Sequence, residues 1–149
     1  MEIAALMRRR VIAVEMDDDL SLARTLLEQA NIHHLPVVDE AHRVVGILSD
    51  RDVLRWLSPF LGTPSETRRD QALLRKPVHQ IMTRHPITVG PDESADIAAR
   101  YMLFNQISSL PVVDDDDTLL GILTWKDLLC HYTRQPAHAA ASPRRDAAA

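Results

Sequence analysis

The sequence predicts an α+β fold built from two tandem β-α-β-β-α units, packed sheet to sheet with pseudo-two-fold symmetry. Three observations lead there. The 149-residue chain aligns with itself after a shift of 75 residues, so that residues 3–54 run without a gap against residues 78–129. Within each half, short apolar runs alternate with stretches of helical apolar spacing. One unit of about 50 residues is too small to bury much core alone, whereas two packed together can.

Each unit opens on a short extended piece, residues 11–14 in the first and 87–89 in the second. An acidic cluster follows, Asp17-Asp18-Asp19 or Asp92-Glu93, where carboxylates favour a helix start through capping and the macrodipole. The first helix carries apolar residues at Ala23, Leu26, Leu27 and Ala30; its counterpart carries Ala98, Tyr101 and Met102, with Asn105 as a departure. Next comes an apolar strand (35–38 or 110–113), a polar turn (39–43 or 114–118) and a second strand (44–48 or 119–123), which together signal a hairpin. A second helix starts near Asp50 or Trp125, carrying Val53, Leu54 and Leu57 or Leu128, Leu129 and Tyr132.

The units are expected at residues 1–57 and 77–133. Residues 58–76 join them: Pro59, Gly62, Pro64 and Ser65 mark a loop, and 66–76 suit a short helix. Residues 134–149 have no apolar periodicity and read as a disordered tail.

Composition narrows the function classes. Apolar residues at 46% and charged residues at 26% are ordinary globular values. A net charge of −4 argues against a dedicated nucleic-acid binder, because phosphate binding needs local positive charge. Two Trp, two Tyr and two Phe are too few for a base-stacking platform. No apolar run reaches the ~20 residues of a membrane span, and the basic residues near the N-terminus follow its apolar stretch, unlike a signal peptide. Cys130, the single cysteine, has no internal disulfide partner, as expected in a reducing cytoplasm.

The motifs repeat with the units. Leu35-Pro36-Val37-Val38-Asp39 returns as Leu110-Pro111-Val112-Val113-Asp114, Gly46-Ile47-Leu48-Ser49 as Gly121-Ile122-Leu123-Thr124, and Asp52 as Asp127. With Ile81-Met82-Thr83 leading into the second unit, these residues closely resemble the CBS-domain family, and the tandem resembles a CBS pair, or Bateman module. The resemblance spans residues 2–133 and looks like a stand-alone CBS-pair protein. It implies a regulatory module that binds an adenosyl ligand (AMP, ADP, ATP or S-adenosylmethionine) between its units and passes the occupancy to a partner protein, together with homodimerisation.

The resemblance also implies a distribution of roles. Asp52 and Asp127 would hold the ribose, with Ser49 and Thr124 beside them, since a carboxylate accepts hydrogen bonds from vicinal hydroxyls and a helix start adds donors. The same residues are equally the helix caps that Ser, Thr and Asp favour. Arg51 and Lys126 inside the motifs, with Arg9, Arg84 and His85 ahead of the extended pieces, would meet phosphates or form a solvated basic surface. Adenine would lie near Ile12 and Ala13 or Ile87 and Thr88, walled by Leu35-Pro36 or Leu110-Pro111, residues that a hydrophobic core would also use. Thr88 and Thr124 become Ala13 and Ser49 in the other unit, and the site around Thr124 and Asp127 is expected to bind better.

Other signals carry less. The histidines lack zinc spacing, and no Cys-x-x-Cys occurs. The run Asp114-Asp115-Asp116-Asp117 could hold Mg²⁺, alone or through a nucleotide such as ATP, but suits a solvated turn better. Neither a nucleophile elbow nor a P-loop is present, and a non-enzymatic protein without redox or metal cofactor is expected. The regulated partner stays unnamed by the sequence.

Overall fold

The structure, a computed structural model, describes residues 1–134. In chain order it comprises α1 (Ile3–Leu6), β1 (Val14–Glu15), α2 (Leu20–Ala30), β2 (His34–Val38), β3 (Val44–Ser49), α3 (Asp50–Trp56) and α4 (Arg68–Leu73). A 3-10 turn (Val78–Gln80), β4 (Thr83–Arg84), α5 (Ala95–Asn105), β5 (Ser109–Val113), β6 (Leu119–Thr124) and α6 (Trp125–Thr133) complete it. The expected disordered tail lies, beyond Arg134, outside the described residues.

The hairpins form as the alternation predicts. β2 pairs antiparallel with β3 (Leu35 opposite Leu48), and β5 with β6 (Leu110 opposite Leu123). In each turn an aspartate organises the backbone: Asp39 Oδ1 accepts from the N–H groups of Ala41 and Arg43, and Asp114 Oδ1 from those of Asp116 and Thr118. These donors stabilise the charged form and hold both carboxyls below the ordinary value. The acidic run is therefore a built turn, and no cluster of three metal-ligating side chains occurs among the described residues.

Helix starts also follow local chemistry, with one correction. Asp19 of the acidic cluster caps α2 by accepting from Leu22 N–H at 2.9 Å. In the second unit Ser94 is the cap of α5 instead, accepting from Ile97 N–H, while Glu93 accepts from Gly90 N–H at 2.8 Å. A hydroxyl directly before the helix reaches its free N–H groups better than a carboxylate one residue further out. Ala23, Leu27, Ala98 and Met102 are buried as expected, but Tyr101 and Leu129 are exposed.

The lead-in segments are exchanged between the units. Ile3 and Met7 of the N-terminal α1 sit in the second unit's core with Val89, Ala98, Leu110 and Leu123. Val78, Ile81 and Met82 sit in the first unit's core with Val14, Ala23, Leu35 and Leu48. β4 joins the first sheet beside β3, giving the order β1-β2-β3-β4, and Arg8 bridges to Ile122 of β6 at the matching place. The chain then crosses back, Val14 pairing parallel with Val37 and Val89 with Val112.

Glycine makes the close pairing possible. A Cβ on Gly121 would stand 2.8 Å from the Arg8 carbonyl oxygen and 2.8 Å from Met7 Sδ; one on Gly46 would stand 3.0 Å from the Thr83 carbonyl oxygen. The two sheets meet at their turns through a reciprocal pair of hydrogen bonds. Val44 N–H donates to the Asp117 carbonyl at 2.9 Å, and Leu119 N–H to the His42 carbonyl at 3.1 Å. The 75-residue shift converts one bond into the other, as a pseudo-two-fold axis requires. Val38 and Val113 point away from their own cores by strand alternation and are nevertheless buried, which places them in the layer between the sheets.

Candidate ligand-binding site

Each unit ends its hairpin in a hydroxyl residue that begins a helix, and both junctions form the same local structure. Ser49 caps α3: its Oγ accepts from Asp52 N–H at 3.1 Å, while Asp52 Oδ2 accepts from Ser49 N–H at 2.9 Å. Thr124 caps α6: Asp127 Oδ2 accepts from Thr124 N–H at 2.8 Å and from its hydroxyl at 2.7 Å. These are reciprocal capping boxes, which satisfy otherwise orphaned N–H groups. A box occupies one carboxylate oxygen, so capping and ligand holding can coexist on one residue.

The second oxygen separates the two junctions. Asp127 is 3% exposed, and its Oδ1 faces Arg8 Nε at 3.4 Å. Asp52 is half-buried, and its Oδ1 has no protein hydrogen-bond partner among the described residues. The position equivalent to Arg8 beside the first junction is Thr83, on β4, and its short neutral side chain carries no charge to offer. Sequence comparison passed over Arg8 because it pairs like with like across the shift; the break in symmetry at positions 8 and 83 was the available signal.

The expected phosphate contacts are surface residues. Arg51 and Lys126 are exposed in the first turns of α3 and α6. Arg9 and Arg84, also exposed, behave identically: Arg9 donates to the Ala4 carbonyl at 3.2 Å and Arg84 to the His79 carbonyl at 3.1 Å. Each thus closes the lead-in turn five residues behind it. His85 is exposed on a left-handed backbone at φ 49°. Through the exchange, Arg9 follows the Arg8–Ile122 bridge beside β6, and Arg84 stands on β4 beside β3.

Of the expected adenine contacts, the crossing segments remain accessible and the strand residues do not. Ile12 and Ile87 are exposed, with Ala13 and Thr88 half-buried beside them; apolar side chains left in solvent suit a planar base. Leu35 and Leu110 are fully buried in the two cores, and Pro36 and Pro111 are buried on the opposite strand face between the sheets. Strand alternation commits one side chain of each Leu-Pro pair inward and the other to the inter-sheet layer.

Two open depressions lie elsewhere on the described surface. One, of about 460 Å³, is bordered by Thr88, Gly90, Asp92, Asp114 and Asp115; the other, of about 400 Å³, by Asp19, Ser21, Glu66 and Arg75. The first is rimmed by carboxylates, which repel an anionic ligand. The capping junctions, with helix N–H groups and adjacent cations, are the better candidates on chemical grounds.

Near the junctions, His34 Nε2 meets Ser108 Oγ at 3.2 Å across the units, and His33 Nδ1 meets Asp50 Oδ2 at 2.9 Å. Burial holds the His34 imidazole below its ordinary value, against the pull of Asp50. Neither contact was visible in the sequence.

No helix among the described residues is long and apolar enough to cross a membrane. Comparison with known proteins places this architecture. The CBS domain profile matches residues 3–59 and again 78–133. A CBS domain-containing protein of Dictyostelium discoideum is 36% identical over 125 residues, covering 83% of this chain and 86% of that protein. The CBS domain pair of protein MJ0100, solved in complex with 5-methylthioadenosine and S-adenosyl-L-methionine, superposes with a TM-score of 0.73 at 29% identity, over 90% of this chain and 97% of that one. CBSX2, solved in complex with AMP, superposes with a TM-score of 0.75 at 28% identity, over 89% of this chain and 96% of that one. The repeated fold, the exchanged lead-in segments and the paired capping junctions are thus those of a tandem CBS pair, and the chain belongs to the CBS-domain family.

Proposed function

We propose that this chain is a regulatory module that takes an adenine nucleotide (AMP, ADP or ATP) at its capping junctions and passes the occupancy to a partner protein. The observation that carries this reading is Asp52: one carboxylate oxygen is committed to the capping box while Oδ1 has no protein donor among the described residues, suited to accept from ribose hydroxyls. Arg51, adjacent to Asp52 in α3, and Arg84, on β4 next to β3, are exposed and would meet phosphate, and Ile87 offers an apolar surface for the base. Ligand would favour one relative angle of the units, and the partner would read that angle. MJ0100 and CBSX2, both similar to this chain, bind adenosyl ligands, which supports the reading at the level of ligand class.

S-adenosylmethionine is the second reading, favoured by the MJ0100 complex. A sulfonium ligand would not require Arg51 or Lys126, so charge reversal there separates it from a nucleotide. Calorimetric titration with AMP, ADP, ATP and S-adenosylmethionine, with and without Mg²⁺, tests both. Binding by one ligand, lost in the Asp52→Ala, Asp127→Ala double variant, supports the sensor. Silence across the panel leaves a ligand-free dimerisation scaffold.

Homodimerisation forms part of the same proposal. Ile97, Tyr101, Leu103 and Phe104 on α5 and Leu129 and Tyr132 on α6 are exposed, Phe104 to 89%. At the positions that match Leu103 and Phe104, the first unit carries Glu28 and Gln29. Leu22 and Leu54, which match Ile97 and Leu129, are exposed as well, so the second unit's face is the wider one through Leu103 and Phe104, and it suits an isologous contact with a second copy of the chain.

A further inference from the structure

We infer that the two capping junctions are unequal and that Arg8 is the residue that makes them so: it latches Asp127 closed and leaves Asp52 as the chain's open ribose site. This rests on the adenosyl-binding reading above and narrows it to one junction, the opposite one to that expected from the sequence.

Arg8 is placed by the backbone. Its N–H donates to the Ile122 carbonyl at 2.9 Å, and Ile122 N–H returns a bond to the Arg8 carbonyl at 3.0 Å. Gly121, next to Ile122, permits this close approach because a Cβ there would stand 2.8 Å from the Arg8 carbonyl oxygen. The side chain then faces Asp127 Oδ1 at 3.4 Å, a Coulombic contact more than a tight hydrogen bond, on a carboxylate side chain that is only 2% exposed. Asp127 Oδ2 already accepts twice from Thr124. Both oxygens are therefore engaged, one by a full positive charge on a side chain that is itself 36% exposed, so that water partly screens the pair.

A ribose diol brings two neutral O–H donors. To reach Asp127 it must displace a guanidinium, exchanging a charge-assisted contact for neutral ones and leaving Arg8 to find new partners. At Asp52 no displacement is needed. Thr83 holds the equivalent backbone position, and among the described residues Asp52 Oδ1 has no protein donor while Asp52 remains half-buried. Chemistry at the two motifs is matched; the residue delivered from the other unit is not.

The internal symmetry supplies the test. Titration uses AMP and S-adenosyl-L-methionine on the full chain, with Arg8→Thr (copying Thr83), Thr83→Arg (copying Arg8), Asp52→Asn and Asp127→Asn. The unaltered chain is expected to bind one equivalent, weakened at least tenfold by Asp52→Asn or Thr83→Arg. Arg8→Thr is expected to bind two equivalents, the second lost when Asp127→Asn is added.

Two equivalents on the unaltered chain, or loss through Asp127→Asn instead of Asp52→Asn, overturns the inference while leaving the sensor reading intact. Weaker binding in Arg8→Thr does the same, since Arg8 would then be a ligand contact. Silence of both the unaltered chain and Arg8→Thr towards both probes overturns the inference and the reading together. A ligand-free measurement guards against misfolded variants: the thermal midpoints of Arg8→Gln and Asp127→Asn, singly and combined, are expected to be non-additive. Additive shifts mean that the latch does not exist.

Discussion

His34 Nε2 lies 3.2 Å from Ser108 Oγ, joining the start of β2 in one unit to the residue before β5 in the other. Burial of the imidazole at this contact makes the fold sensitive to its protonation. Burial lowers the His34 value in the folded state, outweighing Asp50 and Asp52, which raise it, while neighbouring His33 lowers it further. An unfolded histidine titrates near ~6.5. Between that value and the lower folded one, the unfolded chain binds more protons, so stability is full above about 6.5 and falls as pH drops through this window. Chemical denaturation between pH 7.5 and 5 is expected to show the decline. His34→Asn should flatten its slope; an unchanged slope would assign the dependence elsewhere.

Capping and ligand holding at Asp52 separate by substitution. Asp52→Asn keeps an oxygen for Ser49 N–H but loses the charge, so stability should fall by less than about 1 kcal/mol. Ser49→Ala removes the cap acceptor and should cost about 1 kcal/mol. If Asp52 holds ribose, Asp52→Asn weakens AMP or S-adenosylmethionine binding at least tenfold and Ser49→Ala weakens it far less. Parallel losses in stability and affinity would reduce Asp52 to a cap.

Gly121→Ala tests the exchanged lead-in segment. Its Cβ would meet the Arg8 carbonyl oxygen and Met7 Sδ, each at 2.8 Å, and the backbone oxygen cannot move without breaking its bond from Ile122 N–H. A cost of about 1–3 kcal/mol is expected, as for overpacking in a well-filled core. Gly62→Ala, whose Cβ would meet nothing within 4 Å, sits at φ 75° and should be destabilising through backbone strain alone, by about 1 kcal/mol. Denaturant midpoints compare them directly.

Phe104→Glu addresses self-association. Because Phe104 is 89% exposed, the substitution should leave the thermal midpoint of the isolated chain nearly unchanged. If α5 and α6 meet a second copy, sedimentation equilibrium should show a dimer for the parent chain and a monomer for the variant. Gln29→Glu, at the matching position of the first unit, should leave the dimer intact. A dimer that survives Phe104→Glu places the interface elsewhere.

Much of the fold was legible because its determinants are local. The repeat needs only the residues compared with themselves, and the hairpins follow from alternating apolar runs around Asp-led turns. Both capping boxes join residues three apart, so Ser-x-x-Asp and Thr-x-x-Asp contain them in full. Leu35 and Pro36 were harder to place: an apolar strand says that both faces are covered, without saying that one lies in the core and the other between the sheets.

The sequence by itself determined the two units, the β-α-β-β-α order within each and the residues that begin α3 and α6. Only the tertiary structure decided which copy covers which. An apolar face specifies that it will be buried, not against what, and two near-identical units offer each lead-in segment two near-identical partners. The choice rests on crossings such as Arg8 with Ile122 and Val14 with Val37, which depend on the twist and closure of both sheets at once. The same crossings bring Arg8 to Asp127 over a separation of 119 residues, a pairing that no local pattern encodes.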